Sequence, residues 1–143
     1  MINKEITLAI VELNKKIEKV RDQVVKKVGL SKIQALVLIN IYNNNKNNIE
    51  CSVKHIVEEF EANQGNTSSL LKRMESSGLI EKVRAKDDER KVNLVLTELG
   101  KNKILEMRAE VDKYKARMDA EYTNENKKVF IDNMKKLEQL LDL

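Results

Sequence analysis

Between Asn63 and Thr97 the chain carries side chains suited to reading a groove in duplex DNA. Gln64 and Asn66 hold carboxamides that can pair bidentately with an adenine edge, and Gly65 between them keeps the backbone accessible. Ser68 and Ser69 offer short hydroxyls to bases or phosphates, while Lys72 and Arg73 are long enough for phosphate oxygens. From Asn63 to Arg73 there is no acid to repel a polyanion. A second group follows. Lys82, Arg84 and Lys86 alternate, which on a strand puts them on one face. Arg90 and Lys91 open the next run, across an acidic turn of Asp87, Asp88 and Glu89. A guanidinium at a hairpin tip suits the negative potential of a minor groove, with Asp88 expected to hold Arg90 in its rotamer.

Such groups work only if rigid elements aim them. The first set needs a helix, expected to be capped by Asn63 and to bury Thr67, Leu70, Leu71 and Met74. Before it, Ser52 is a natural N-cap for a helix turning Val53, Ile56, Val57 and Phe60 inward. A tight break at Glu61–Ala62 makes the pair a helix-turn-helix. Gly78 supplies the left-handed stop, and the strands are expected at Leu79–Lys86 and Arg90–Thr97.

The flanks read as helices. Ile6, Ile10, Leu13, Ile17, Val20 and Val24 form a heptad-like stripe that Gly29 ends. Ser31 and Gln34 form a capping box for a helix with Ile33, Leu36, Val37, Asn40 and Ile41 on one face. Asn43 to Asn48 is expected to be a polar loop, and Ile49 to Cys51 a short strand. Beyond Thr97, a helix N-cap, come Ile104, Met107, Val111, Tyr114 and Met118. After Thr123 and Asn126 come Phe130, Met134, Leu137 and Leu141. Amphipathic helices must cover their stripes, and the regular three-four spacing favours interlocking across a two-fold axis over an intrachain bundle.

Composition bounds the alternatives. With 143 residues, 35% charged, 3% aromatic and no proline, the chain reads as one largely helical domain over 1–143. A net charge of +4 does not by itself name a nucleic-acid partner. One cysteine excludes an intramolecular disulfide framework and suits a reducing cytoplasm. There is neither a signal-peptide pattern nor an apolar run of about 18 residues, so a cytoplasmic protein without a membrane partner is expected. His55 is the single histidine, which argues against a zinc site and against acid–base catalysis; no cofactor and no enzymatic activity are expected.

The Gly78–Leu79–Ile80–Glu81–Lys82 run, the wing element Asp88–Glu89–Arg90 and the run Leu96–Thr97–Glu98–Leu99–Gly100 stand at joint spacings that resemble the MarR family of bacterial winged-helix transcription regulators. The resemblance covers essentially the whole chain. It implies a mainly α fold with a small β-hairpin wing: a winged helix-turn-helix lobe over about 31–97, flanked by dimerisation helices over about 2–28 and 98–143. It further implies a homodimer on a pseudo-palindromic site, with Arg90 as the minor-groove residue of the wing and Asp88 orienting it. Lys82 stands where members often carry Arg, and the wing lacks their common proline. A small aromatic or lipophilic effector is the default signal, with few aromatics to meet it: Tyr42, Phe60, Tyr114, Tyr122 and Phe130. Two alternatives remain, a thiol-based redox regulator through Cys51 and a winged-helix module for protein partners.

Overall fold

The computed structural model describes residues 2–61 and 66–142. Within them run α1 (Ile2–Lys27), α2 (Lys32–Lys46), α3 (Val53–Glu61), α4 (Thr67–Ser76), β1 (Ile80–Arg84), β2 (Val92–Leu96), α5 (Glu98–Glu121) and α6 (Asn124–Leu141). This is a mainly helical chain with one antiparallel hairpin, the winged helix-turn-helix architecture expected from the sequence. It divides into two compact units, Met1–Met107 and Arg108–Leu143.

In the first unit the core is aliphatic. Val37, Leu38, Ile41, Cys51, Ile56, Leu71, Met74, Ile80 and Leu94 are fully buried, joining α2, α3, α4 and the hairpin. Local signals set the boundaries. Gly29 takes a φ of +78°, and the Leu30 amide reaches back to the Val25 carbonyl (3.1 Å), closing α1. The Ser31 capping box is complete, with Gln34 N to Ser31 Oγ at 3.2 Å and Ser31 N to Gln34 Oε1 at 2.9 Å. Ser52 caps α3 through the His55 amide at 3.0 Å. Between α1 and α2, Lys32 donates to Glu18 at 3.0 Å; that hydrogen bond, then the charge of Lys32, holds the exposed Glu18 carboxyl below its ordinary range.

Two expectations change. The asparagine run is not a loop throughout, because α2 continues to Lys46. With no Gly or Pro to stop it, the helix persists until Asn48 adopts a φ of 57°, a conformation asparagine tolerates. The buried face of α2 is also rotated: Ala35 and Leu38 are inside and Leu36 is exposed. The expected cap Asn63 and the break at Ala62 lie outside the described residues. The described part of α4 begins at Thr67 with Asn66 at its N-cap, making no side-chain cap hydrogen bond.

The wing is tied at its base. Gly78, at φ +78°, ends α4, and the Leu79 amide bonds the Met74 carbonyl at 3.0 Å. β1 and β2 pair from Ile80↔Leu96 to Arg84↔Val92, and β2 takes a further partner on its other edge, where Leu94 N donates to Cys51 O at 2.7 Å. Thr97 Oγ1 donates to the Gly78 carbonyl and accepts from Gly100 N at 3.0 Å. A β-carbon on Gly100 would overlap the Leu79 carbonyl oxygen.

In the second unit the last turns of α5 are followed by α6, which Thr123 caps through the Asn126 amide at 3.1 Å. Lys127 pairs with Asp119 across the turn. No described residue of α6 is buried, and Phe130 and Met134 of its expected inner face stand open. In α1 of the first unit, Ile6, Leu13 and Ile17 are exposed as well.

The Gly100 contact yields a stability prediction. Gly100→Ala should destabilise the fold by about 3 kcal/mol, because backbone must move to admit the methyl group. Urea unfolding of the variant checks this, and an unchanged midpoint would show the contact to be soft.

Candidate nucleic-acid interface

Helix α4 is anchored by Thr67, Leu70, Leu71 and Met74, all buried as the sequence implied. That anchoring turns the opposite side outward: Asn66, Ser68, Lys72 and Arg73 are exposed and Ser69 is half-buried. From Asn66 to Met74 the chain has no acid, so the outer surface is narrow at the start and cationic at Lys72 and Arg73, ahead of the exposed Glu75. Gln64 and Gly65, assigned to the same surface, lie outside the described residues.

The wing presents its cations differently from the simple alternating picture. Lys82 and Arg84 are on β1 and exposed, whereas Lys86 follows the strand, beyond a buried Ala85 whose amide bonds Lys91 O at 3.0 Å. Arg84 Nη1 donates to the Glu89 carbonyl at 3.0 Å, bracing the turn from within. Asp88 is tied not to a guanidinium but to backbone, since its Oδ1 accepts from Arg90 N at 3.0 Å. Its carbonyl accepts from Lys91 N, also at 3.0 Å. Asp88 therefore shapes the turn as an Asx-type cap, and the exposed Arg90 side chain is directed through its main chain.

Sequence reasoning missed what lies beside Arg90. A cavity of about 560 Å³ opens between the wing and the start of α3. Lys54, Lys82, Arg90 and Lys91 line it, with Glu50 the one acid among them. Ser52 and Asn93 add polar groups, and Val53 and Val92 add apolar wall. The bridge between Ser52 and Asn93 brings the two segments together. Ser52 had been legible only as a cap, and no local pattern announces a pairing across so many residues.

Cys51 sits in a different setting. It is fully buried, with Asn44 Nδ2 at 3.6 Å and Asn40 Oδ1 at 3.9 Å from Sγ. Asn40 in turn donates to both oxygens of Glu59, whose carboxylate also meets His55 Nε2 at 3.2 Å. Burial pushes the Cys51 thiol up, only partly opposed by the Asn44 hydrogen bond, so little thiolate is present at neutral pH. Among the described residues no group of three or more His, Cys, Asp or Glu is placed to hold a metal ion, and no helix is long and apolar enough to cross a membrane.

Two measurements test these geometries. Hydrogen exchange at the Arg90 amide should quicken by about fivefold in Asp88→Ala, the loss of roughly 1 kcal/mol, and stay near wild type in Asp88→Asn, which keeps the acceptor. Equal exchange in both variants would remove the turn role. Alkylation of Cys51 should be slow in the native protein and become fast on adding urea; rapid labelling without urea would contradict its burial.

The comparisons with known proteins agree with this geometry. A sequence comparison with curated proteins finds no match. Among solved structures, YusO from Bacillus subtilis is 25% identical, covers 96% of this chain and 95% of its own, and superposes with a TM-score of 0.74. MepR from S. aureus in complex with DNA is 17% identical, with 95% and 99% coverage and a TM-score of 0.73. MepR bound to ethidium bromide, also 17% identical, covers 95% and 96% at a TM-score of 0.71. At that identity the MepR structures speak for the fold. The family described as "Transcriptional regulator SarA/Rot" matches residues 19–107, more than half of the chain. The protein thus belongs to the SarA/Rot transcriptional regulators, and its winged helix-turn-helix is the fold that the resemblance to the MarR family implied.

Proposed function

We propose that the protein is a homodimeric, cytoplasmic regulator that binds a pseudo-palindromic operator in double-stranded DNA and releases it on binding a small molecule. The observation that carries the DNA reading is the outer face of α4, free of acids from Asn66 to Met74, beside a wing that exposes Lys86, Arg90 and Lys91. In this reading Asn66, Ser68 and Ser69, with Gln64 and Gly65, meet base edges in the major groove. Lys72 and Arg73 take phosphates, and Arg90 enters the adjacent minor groove. Arg84 and Asp88 serve indirectly by fixing the turn. The DNA complex of MepR, a protein of the same fold, supports the mode of docking.

The dimer rests on the uncovered apolar faces. Ile6, Leu13 and Ile17 of α1, and Phe130 and Met134 of α6, are exposed at 41–53%, too much for helices left in water. A second copy covers such faces and sets two α4 helices in successive major grooves. Ethidium on MepR supports an aromatic small-molecule effector. The redox alternative is weakened by the burial and raised pKa of Cys51.

Affinity for duplex DNA should fall steeply with salt, as expected when several phosphates are neutralised. Arg90→Ala should weaken binding about 10- to 100-fold while leaving the sedimentation coefficient unchanged. A folded dimer that binds no duplex at low salt would instead make this a protein-interaction module, and an Arg90→Ala variant of full affinity would remove Arg90 from the interface.

A further inference from the structure

We propose that the cavity between the start of α3 and the wing is a phosphate site, filled by a phosphodiester of the DNA backbone; this rests on the DNA-binding reading above and adds Lys54, Lys82, Ser52 and Asn93 to the contact surface. The first support is charge. Lys54, Lys82, Arg90 and Lys91 converge on one opening against the single carboxylate of Glu50. Among the described residues Lys82, Arg90 and Lys91 make no ion pair, and Lys54 reaches Glu58 only at 4.0 Å. Cations gathered this way repel one another until an anion joins them.

The second support is Asn93. It is only 8% exposed, lines the cavity, and its carboxamide has no hydrogen-bond partner among the described residues. Among the described residues no buried side-chain polar atom lacks a partner, so the Asn93 amide stays open to the cavity, where an entering phosphate oxygen can accept from it. Beside it, the Ser52 hydroxyl accepts from His55 N and keeps its own hydrogen for donation. The first amides of the nine-residue α3 add partial positive charge at the same opening.

Size and position then choose the source of the phosphate. At about 560 Å³ the cavity is many times larger than a phosphate ion, and Val53 and Val92 give it apolar wall that a deoxyribose can cover. Arg90 stands at the same opening. A guanidinium entering a minor groove passes between two rows of phosphates, so a site for one of those rows belongs beside it.

The test uses the full-length protein and mixed-sequence duplexes, with Lys54→Gln and Glu50→Gln as exposed, fold-preserving changes. Lys54→Gln should weaken binding about 3- to 10-fold on unrelated sequences alike and reduce the salt slope by about one, because phosphate contacts carry no sequence information. Glu50→Gln should tighten binding. If both variants match wild type while Arg90→Ala still loses affinity, the site is refuted and the DNA reading stands. If wild type binds no duplex, both fall together. Inorganic phosphate, followed through the Asn93 side-chain amide resonance, distinguishes the free ion. Saturable binding of it, with the salt slope unmoved by Lys54→Gln, would give the cavity to a small phosphate and overturn the DNA assignment.

Discussion

A hairpin can place a cation in a groove only if its base cannot swing, and here the base is held by the junction of three segments. The Thr97 hydroxyl donates to Gly78 and accepts from Gly100, while Thr97 N bonds Leu79 O at 3.2 Å. The end of α4, the first residue before β1 and the first turn of α5 are thereby locked within one set of backbone contacts. Gly100 lets α5 come close enough, since any side chain there would meet the Leu79 carbonyl. The direction of the wing relative to α4 is thus a backbone property, and the exposed cations are free to be chosen for what they touch.

Outward from that junction, rigidity comes from hydrogen bonding rather than packing. β2 is paired on both edges near its middle, with β1 on one side and Cys51–Ser52 on the other. The tip has little apolar surface and relies on Asp88 and Arg84 bonding to main chain. Without the proline or glycine that would preset such a turn, these two side chains take over the task. Charged residues that look destined for DNA are in part architectural.

How much of this could be read beforehand follows the range of the interaction. Capping by Ser31, Ser52, Thr97 and Thr123, the stops at Gly29 and Gly78, and the buried set Thr67, Leu70, Leu71 and Met74 all depend on neighbours within one or two turns, and the sequence displays them. The length of α2 misled because polar asparagines resemble a loop, although nothing in them forbids a helix. Asp88 meets the expected neighbour, Arg90, through its amide and not its guanidinium, a distinction that spacing along the chain does not carry. The cavity beside Arg90 needs Ser52 and Asn93 to meet, a long-range pairing without a local signature.

The contrast between a locked wing base and a self-contained tip bears on how the chain tolerates changes of length. An inserted residue between Leu96 and Gly100 would throw α5 out of phase with the Leu79 carbonyl, so that segment is fixed in count as well as in kind. From Lys86 to Arg90 the hydrogen bonds stay within the hairpin and the residues are exposed or half-buried, so added residues there would lengthen it without reaching the core. The length of the hairpin can therefore vary among related chains by growth at the tip, with α4 left undisturbed.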